Sequence, residues 1–332
     1  MTYPKITIVT PSYNQAEFIE ETILSVISQN YPNLEYIIID GASTDGSVDI
    51  IKKYEKHLSY WISEPDSGHA DALNKGFARS TGEIMAWINS DDKYFPWTFN
   101  TIAEVYSQNP DILWTTGLHA NFDRKGVLMA GTSNVRAVYK NVYSYLFKEM
   151  HIQQESVFWR RNLWEKSGGY IDEKVHLMVD TELWCRFFLG AELWHIDQVI
   201  GGYRTYGLNR SHTEQHLLHV KQDIDNSVDR LYKNISPEIK TILDGILKFR
   251  IDFHEHHKII GEVSSKIRKR KLLQWLPYLF YERICNHLYR RAILKKDLPF
   301  PEKPIHPTMV IKKVERIGDS WIKSEIPWDF SY

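Results

Sequence analysis

Polar residues of the kind that do chemistry gather at four points in the first hundred residues of this 332-residue chain. They are Thr10-Pro11-Ser12-Tyr13-Asn14-Gln15, Asp40-Gly41-Ala42-Ser43-Thr44-Asp45, Glu64-Pro65-Asp66-Ser67-Gly68 and Asn89-Ser90-Asp91-Asp92. Turns favour the same residue types, so each loop alone reads as ordinary turn chemistry, whereas four in succession are harder to assign that way. A carboxylate such as Asp40 can accept hydrogen bonds from a base or ribose, and the adjacent pair Asp91-Asp92 can hold a hard divalent cation through oxygen. Such a cation, Mg²⁺ or Mn²⁺, neutralises charge developing on a departing diphosphate. No GxGxxG follows the first strand and no GxxxxGK[ST] occurs, so the two commonest phosphate-cradling loops are missing. Further along, Asp180 precedes Leu183, Trp184 and Phe187, which suits an N-cap. Glu182 lies two residues on, about 200 degrees away around a helix.

Each of the four loops follows a short apolar run. Residues 6–10, Leu34–Asp40, Tyr60–Ser63 and 84–89 read as strands. Between them the spacing predicts helices. One carries Phe18, Ile19, Ile23, Val26 and Ile27; another carries Val48, Ile50 and Ile51 behind the capping hydroxyls of Ser43 and Thr44; two more cover 70–79 and 98–106. This alternation predicts an α/β fold, a mostly parallel sheet flanked by helices. Ligands bind such sheets outside the carboxyl ends of the strands, where all four polar loops fall.

Composition sets wider limits. With 43% hydrophobic and 25% charged residues and a net charge of -1, the chain is not disordered, collagen-like or highly charged, and no nucleic-acid partner is expected. The opening MTYPKITIVTPSYN lacks the basic region, long apolar run and cleavage site by which a signal peptide is read, and no later stretch approaches the roughly 18 apolar residues of a spanning helix, so a cytoplasmic location is expected. Cys185 and Cys285 read as two reduced thiols.

The runs Ile8-Val-Thr-Pro-Ser-Tyr-Asn-Gln15, Ile38-Ile-Asp-Gly-Ala-Ser-Thr-Asp-Gly-Ser47, Glu64-Pro-Asp-Ser-Gly68, Asp71-Ala-Leu-Asn-Lys-Gly76 and Thr81-Gly-Glu-Ile84 through Asp92 resemble, in order and spacing, a family 2 glycosyltransferase of GT-A fold. The likeness is close to about residue 100 and looser to about residue 212. It implies inverting transfer of a sugar from a nucleotide-sugar, with UDP the expected nucleotide, to an acceptor hydroxyl in polysaccharide, glycolipid or other glycan synthesis, with Mn²⁺ or Mg²⁺ as cofactor. By the same resemblance Thr10, Pro11 and Tyr13 line the nucleotide pocket, Asp40 contacts the base, and Asn74 and Lys75 lie near the donor. The family's DxD is here Asn89-Ser90-Asp91. Asn89 and Ser90 then serve the donor, and Asp91, followed by Asp92, holds the metal. Asn in the first position hydrogen-bonds but brings no charge. Inversion by one displacement needs one base for the acceptor hydroxyl, and the segment 179–186 resembles the family's base segment, which gives that role to Asp180. Residues 202–212 resemble the family's YRxH element, with Tyr206 where the His would fall; His212 or Arg210 is then left to reach metal or phosphate.

Two other readings stay open. A nucleotidyltransferase would need basic residues in 10–15, which has none, and a nucleotide-sugar-binding or inactive relative is suggested by Asn89 and the displaced His. Trp87, Trp97, Trp114, Trp159, Trp164, Trp184 and Trp194 can stack on sugars or fill a core. The expected domains are a catalytic unit over 1–215 and a helical C-terminal extension over 216–332. That extension includes a basic segment, 266–296, and a Pro-rich tail. The basic segment suits either a solvated face of a packed helix or peripheral contact with the inner face of a membrane, which would fit a lipid-linked acceptor; otherwise the acceptor is a glycan.

Overall fold

The apolar runs of the N-terminal half form the centre of a sheet. A computed structural model describes residues 3–129, 135–136, 142, 152–207, 214–237, 239–241 and 310–327. In it, β1 (Ile6–Ser12), β2 (Leu34–Asp40), β3 (Tyr60–Ser63) and β4 (Ile84–Trp87) pair in parallel in the order β3-β2-β1-β4. β1 and β4 are buried at every residue, as strands covered on both faces must be. The covering helices are α1 (Ile19–Ile27), α2 (Ser47–Lys53), α3 (His69–Arg79) and, after β5 (Lys93–Tyr94), α4 (Thr98–Gln108). A Cβ at Gly76 of α3 would sit 2.4 Å from Val9 Cγ1, so glycine is what lets this helix close on β1.

Past β4 the sheet becomes mixed. β8 (Val157–Arg160) runs antiparallel to both β4 and β6 (Trp114–Phe122), and β9 (Leu193–Val199) is parallel to β6. β7 (Val135–Arg136) pairs with β6, and β10 (Gly201–Arg204) bridges β5 and β6. The helices of this half are α5 (Arg161–Lys166), α6 (Val179–Gly190) and α7 (Glu214–Asn234). Gly168 and Gly169 follow α5 with φ of 105° and 70°, and the Gly169 N–H bonds the Trp164 carbonyl at 2.9 Å, the left-handed helix end that paired glycines permit.

Five of the tryptophans are core rather than sugar platforms. Trp87, Trp114, Trp159, Trp164 and Trp184 are all buried; Trp184 stacks on Trp87 and on Trp114 at 5.6 Å, and Trp164 lies 6.3 Å from Trp159. Trp97 is exposed, and Trp194 lies beneath Lys312 and Lys323.

The chain divides into two units, residues 1–234 with 310–332, and residues 235–309. This differs from the expected boundary at 215 and from a wholly helical C-terminal region. α7 falls within the expected helical extension for most of its length but belongs to the sheet's unit. Residues 310–327 form a hairpin, β11 (Val310–Ile317) and β12 (Ser320–Pro327), that extends the sheet from β9. Charged side chains mask its strand signal: buried Val314 sits between Lys313 and Glu315, and Gly318 (φ 62°) with Asp319 makes the two-residue turn. The basic segment 266–296, the Pro-rich tail from Pro299, Cys285, Arg210 and His212 lie outside the described residues. Among those described, no helix is long and apolar enough to cross a membrane.

Candidate active site

The loops after β1 and β2 are bonded chiefly to each other. Asn14, at φ 53°, receives Thr44 N–H on its amide oxygen, and its own N–H bonds Ser43 Oγ at 2.8 Å. Gln15 N–H bonds Ser47 Oγ and Ala16 N–H bonds Asp45. Ser43 and Thr44 therefore tie two loops together instead of capping α2, whose N-cap is Gly46. Asp40 is fully buried and accepts Ser43 N–H, Ser43 Oγ and Ser63 Oγ at 2.9, 2.5 and 2.7 Å. The Thr10 hydroxyl is buried against Tyr36 OH at 3.1 Å, and its backbone pairs in register with Ile38 of β2. Pro11 is buried and Tyr13 exposed, while Ser12, paired in register with Asp40, has a buried hydroxyl without a hydrogen-bond partner among the described residues. Asn74 bonds Ile171 N–H and O and the Glu173 carboxylate, so it links α3 to the segment ahead of Asp180. Lys75 faces Glu64 at 3.2 Å and Asp71 at 3.4 Å.

The loop after β4 holds the densest group of carboxyls. Asn89 Oδ1 lies 3.0 Å from His69 Nε2, and its amide nitrogen donates to Asp92 at 3.1 Å and Gln154 at 3.3 Å. Thr22 Oγ1 reaches the carbonyls of Ser90 and Asp92. Asp91 accepts from Tyr206 OH at 2.8 Å, so the residue standing in for the family's His touches the expected metal ligand. Asp92 is fully buried and accepts Arg204 N–H at 2.7 Å. Arg204, itself buried, carries the loop from behind: it donates to Asp91 O at 2.6 Å and to Arg124 O at 3.1 Å, and pairs with Glu21 at 2.5 Å.

Glu155 completes the group. It lies in the single turn Gln154–Ser156, against which β10 packs so tightly that a Cβ at Gly201 would come within 1.9 Å of the Glu155 carbonyl. Its carboxyl hydrogen-bonds Asp92. Burial pushes it up to about 7, and the charges of Asp180 and Asp91 act in the same direction. Burial likewise raises Asp91, and raises Asp92 well above the usual carboxylate range. One carboxyl group thus senses both the Asp91-Asp92 loop and Asp180.

Asp180 stands in the first turn of α6, one residue inside the helix, and Met178 is the N-cap. It is partly buried, and burial raises it to about 6 against the Thr181 N–H that it accepts at 2.7 Å. Glu182 points elsewhere: it is buried, bonds Arg186 at 2.7 to 3.1 Å and lies 3.7 Å from Arg230. Glu182 is thus spent on ion pairs.

For a divalent cation, the donor set is small. Among the described residues no three His, Cys, Asp or Glu side chains converge on one point, and both Asp92 oxygens are engaged. Asp91 offers one carboxylate. That suits a hard ion that takes most of its ligands from diphosphate and water. Glu155, Arg204 and His69 are not singled out by the sequence, whereas Glu182 is, as the neighbour of Asp180. Glu155 stands among polar neighbours in Gln153-Gln154-Glu155-Ser156, and His69 follows Asp66-Ser67-Gly68, so nothing local marks either as part of the site.

The sequence pattern of the family described as Glycosyl transferase family 2 matches residues 7–165. Over 96 residues the chain is 44% identical to TuaG of Bacillus subtilis (strain 168), a protein named for teichuronic acid biosynthesis; the match covers 27% of this chain and 37% of TuaG. Among solved structures, residues 1-349 of S. aureus TarS with UDP-GlcNAc superpose with a TM-score of 0.56 at 16% identity, over 72% of this chain and 70% of that one. The mannosyltransferase PcManGT from Pyrobaculum calidifontis, with GDP-Man and Mn²⁺, gives 0.54 at 17% identity, over 88% and 87%. These two establish the GT-A fold. An uncharacterised glycosyltransferase of Mycobacterium tuberculosis (strain CDC 1551 / Oshkosh) is 30% identical over 216 residues, 64% of this chain and 79% of that protein. With most of that relative covered at this identity, the chain belongs to glycosyl transferase family 2.

Proposed function

We infer that the protein moves a sugar from a nucleotide-sugar to an acceptor hydroxyl with inversion, in the assembly of a polysaccharide or related glycan. The observation that carries this reading is Asp180, a partly buried carboxyl raised to about 6 that shares Glu155 as a charged neighbour with Asp91. A base of that strength is ionised at neutral pH yet takes up a proton readily, which suits removal of the acceptor hydroxyl proton. The unpartnered Ser12 hydroxyl and exposed Tyr13 at the rim of β1 support a donor seat there. Thr10 and Pro11 would line that seat, Asp40 would shape its turn through Ser43, and Asn74 and Lys75 would border it. Asn89 and Ser90 present Asp91, with Asp92 and Arg204 fixing the loop beneath. A Mn²⁺ or Mg²⁺ ion held by Asp91 would supply charge neutralisation for the leaving diphosphate. The Mn²⁺ and GDP-Man in complex with the mannosyltransferase, and the UDP-GlcNAc in complex with TarS, support a metal and a nucleotide-sugar here.

The test is release of nucleoside diphosphate from UDP-GlcNAc and GDP-Man in the presence of Mn²⁺. Release that depends on metal and falls to a small residual level in Asp91→Ala and Asp180→Asn is expected. Equal release from wild type and both variants would overturn the assignment.

A further inference from the structure

The segment that leads into Asp180 is held by a buried carboxylate on a different helix. Asp223, on α7, is only 4% exposed, and one of its oxygens accepts three successive backbone N–H groups, those of His176, Leu177 and Met178, at 3.1, 2.9 and 3.3 Å. Its other oxygen lies 3.7 Å from His176 Nδ1, and the His176 ring stacks on His219 of α7 at 5.0 Å. Seven residues along the same helix, Arg230 donates to Asp172 at 2.9 Å. The segment 172–178 is therefore fixed to α7 at both ends. Met178 is in turn the N-cap of α6, and its carbonyl accepts the Glu182 N–H at 3.0 Å. Asp180 is two residues beyond this clamp.

We propose that Asp223 is a positioning residue for Asp180: through the three N–H groups of 176–178 it sets where the first turn of α6 begins, and so where the base carboxyl stands relative to the Asp91-Asp92 loop. Nothing else in the mechanism uses this buried carboxylate. Three convergent amides on one oxygen fix a backbone direction, which a merely filled space does not. The cost of loosening it falls on orientation, to which catalysis is steeply sensitive: a misplacement of about 1 Å can cost on the order of 100-fold in rate.

This rests on Asp180 being the base, and the experiment separates the two ideas. Asp223→Ala removes the acceptor, whereas Asp223→Asn keeps an amide oxygen in its place. Nucleoside diphosphate release from UDP-GlcNAc and GDP-Man with Mn²⁺ should fall at least about tenfold in kcat in the alanine variant, with donor KM within about twofold, and recover to within about threefold of wild type in the asparagine variant. Amide hydrogen exchange on the full wild-type chain gives a readout independent of activity and of variant folding: the N–H groups of 176–178 should be protected, and the protection should survive in Asp223→Asn. Unprotected amides at 176–178 in wild type, or full kcat in a folded Asp223→Ala, overturn the proposal. Protected amides together with an unimpaired Asp180→Asn would instead sink the base assignment and leave the clamp standing as a structural feature.

Discussion

The two halves of the rim treat their carboxylates in opposite ways. On the parallel half, Asp40 and Asp45 are surrounded by donors: Asp40 by Ser43 and Ser63, Asp45 by Ser47 and the Ala16 N–H. Burial acts to raise Asp45, yet those hydrogen bonds outweigh it and hold the group below its usual value. On the mixed half, burial outweighs the hydrogen bonds that Asp92, Glu155 and the partly buried Asp180 receive, and all three are raised. The first set joins loops. The second is left under-compensated, the state in which a carboxyl can exchange a proton near neutral pH. A polar rim alone thus does not identify reactive groups; the balance of donors against burial does.

The largest effect expected from breaking this arrangement is at Arg204. Arg204→Met leaves Glu21 and the Asp91-Asp92 loop without their buried cation, and thermal unfolding should show a loss of about 3–5 kcal/mol. The next contrast lies within one helix. Glu182→Gln weakens the pairs with Arg186 and Arg230 and should cost about 1–3 kcal/mol, whereas Asp180→Asn should stabilise the protein by about 2 kcal/mol at pH 8. The sign for Asp180 follows from its folded value of about 6 against an ordinary 3.8. Its ionised form costs stability above pH 6, and the cost disappears as pH falls below 3.8, so denaturant melts of wild type and variant should converge near pH 4. The smallest effect is at Asp45: Asp45→Ala removes a loop tie, with a stability loss of about 1 kcal/mol and a change in turnover under about threefold. A larger fall in turnover than in stability at Asp45 would erase the distinction between the two halves.

Much of the parallel half is legible in the sequence because its signals are local. Strands at Leu34–Asp40 and Tyr60–Ser63 and the helix ending at Arg79 follow from apolar period and bounding turn residues. The mixed half is less so. β11 and β12 carry Lys and Glu along much of their length, and β11 pairs with β9 more than a hundred residues away, so nothing nearby marks the hairpin as part of the sheet. The site follows the same division. Asp91 and Asp180 stand in recognisable segments, but the meeting of Asp92 with Glu155, of Tyr206 with Asp91 and of Asp223 with 176–178 joins residues 45 to 115 positions apart. Such partners are set by sheet order and by the packing of α6 on α7.

The central claim, that Asp180 is the group titrating for catalysis, is tested most directly by the pH dependence of kcat for nucleoside diphosphate release. The rate should rise with pH through a midpoint near 6, keep that midpoint in Glu155→Gln, and lose it in the residual activity of Asp180→Asn. A profile that is flat from pH 5 to 8, or a midpoint that moves with Glu155 and not with Asp180, would contradict it.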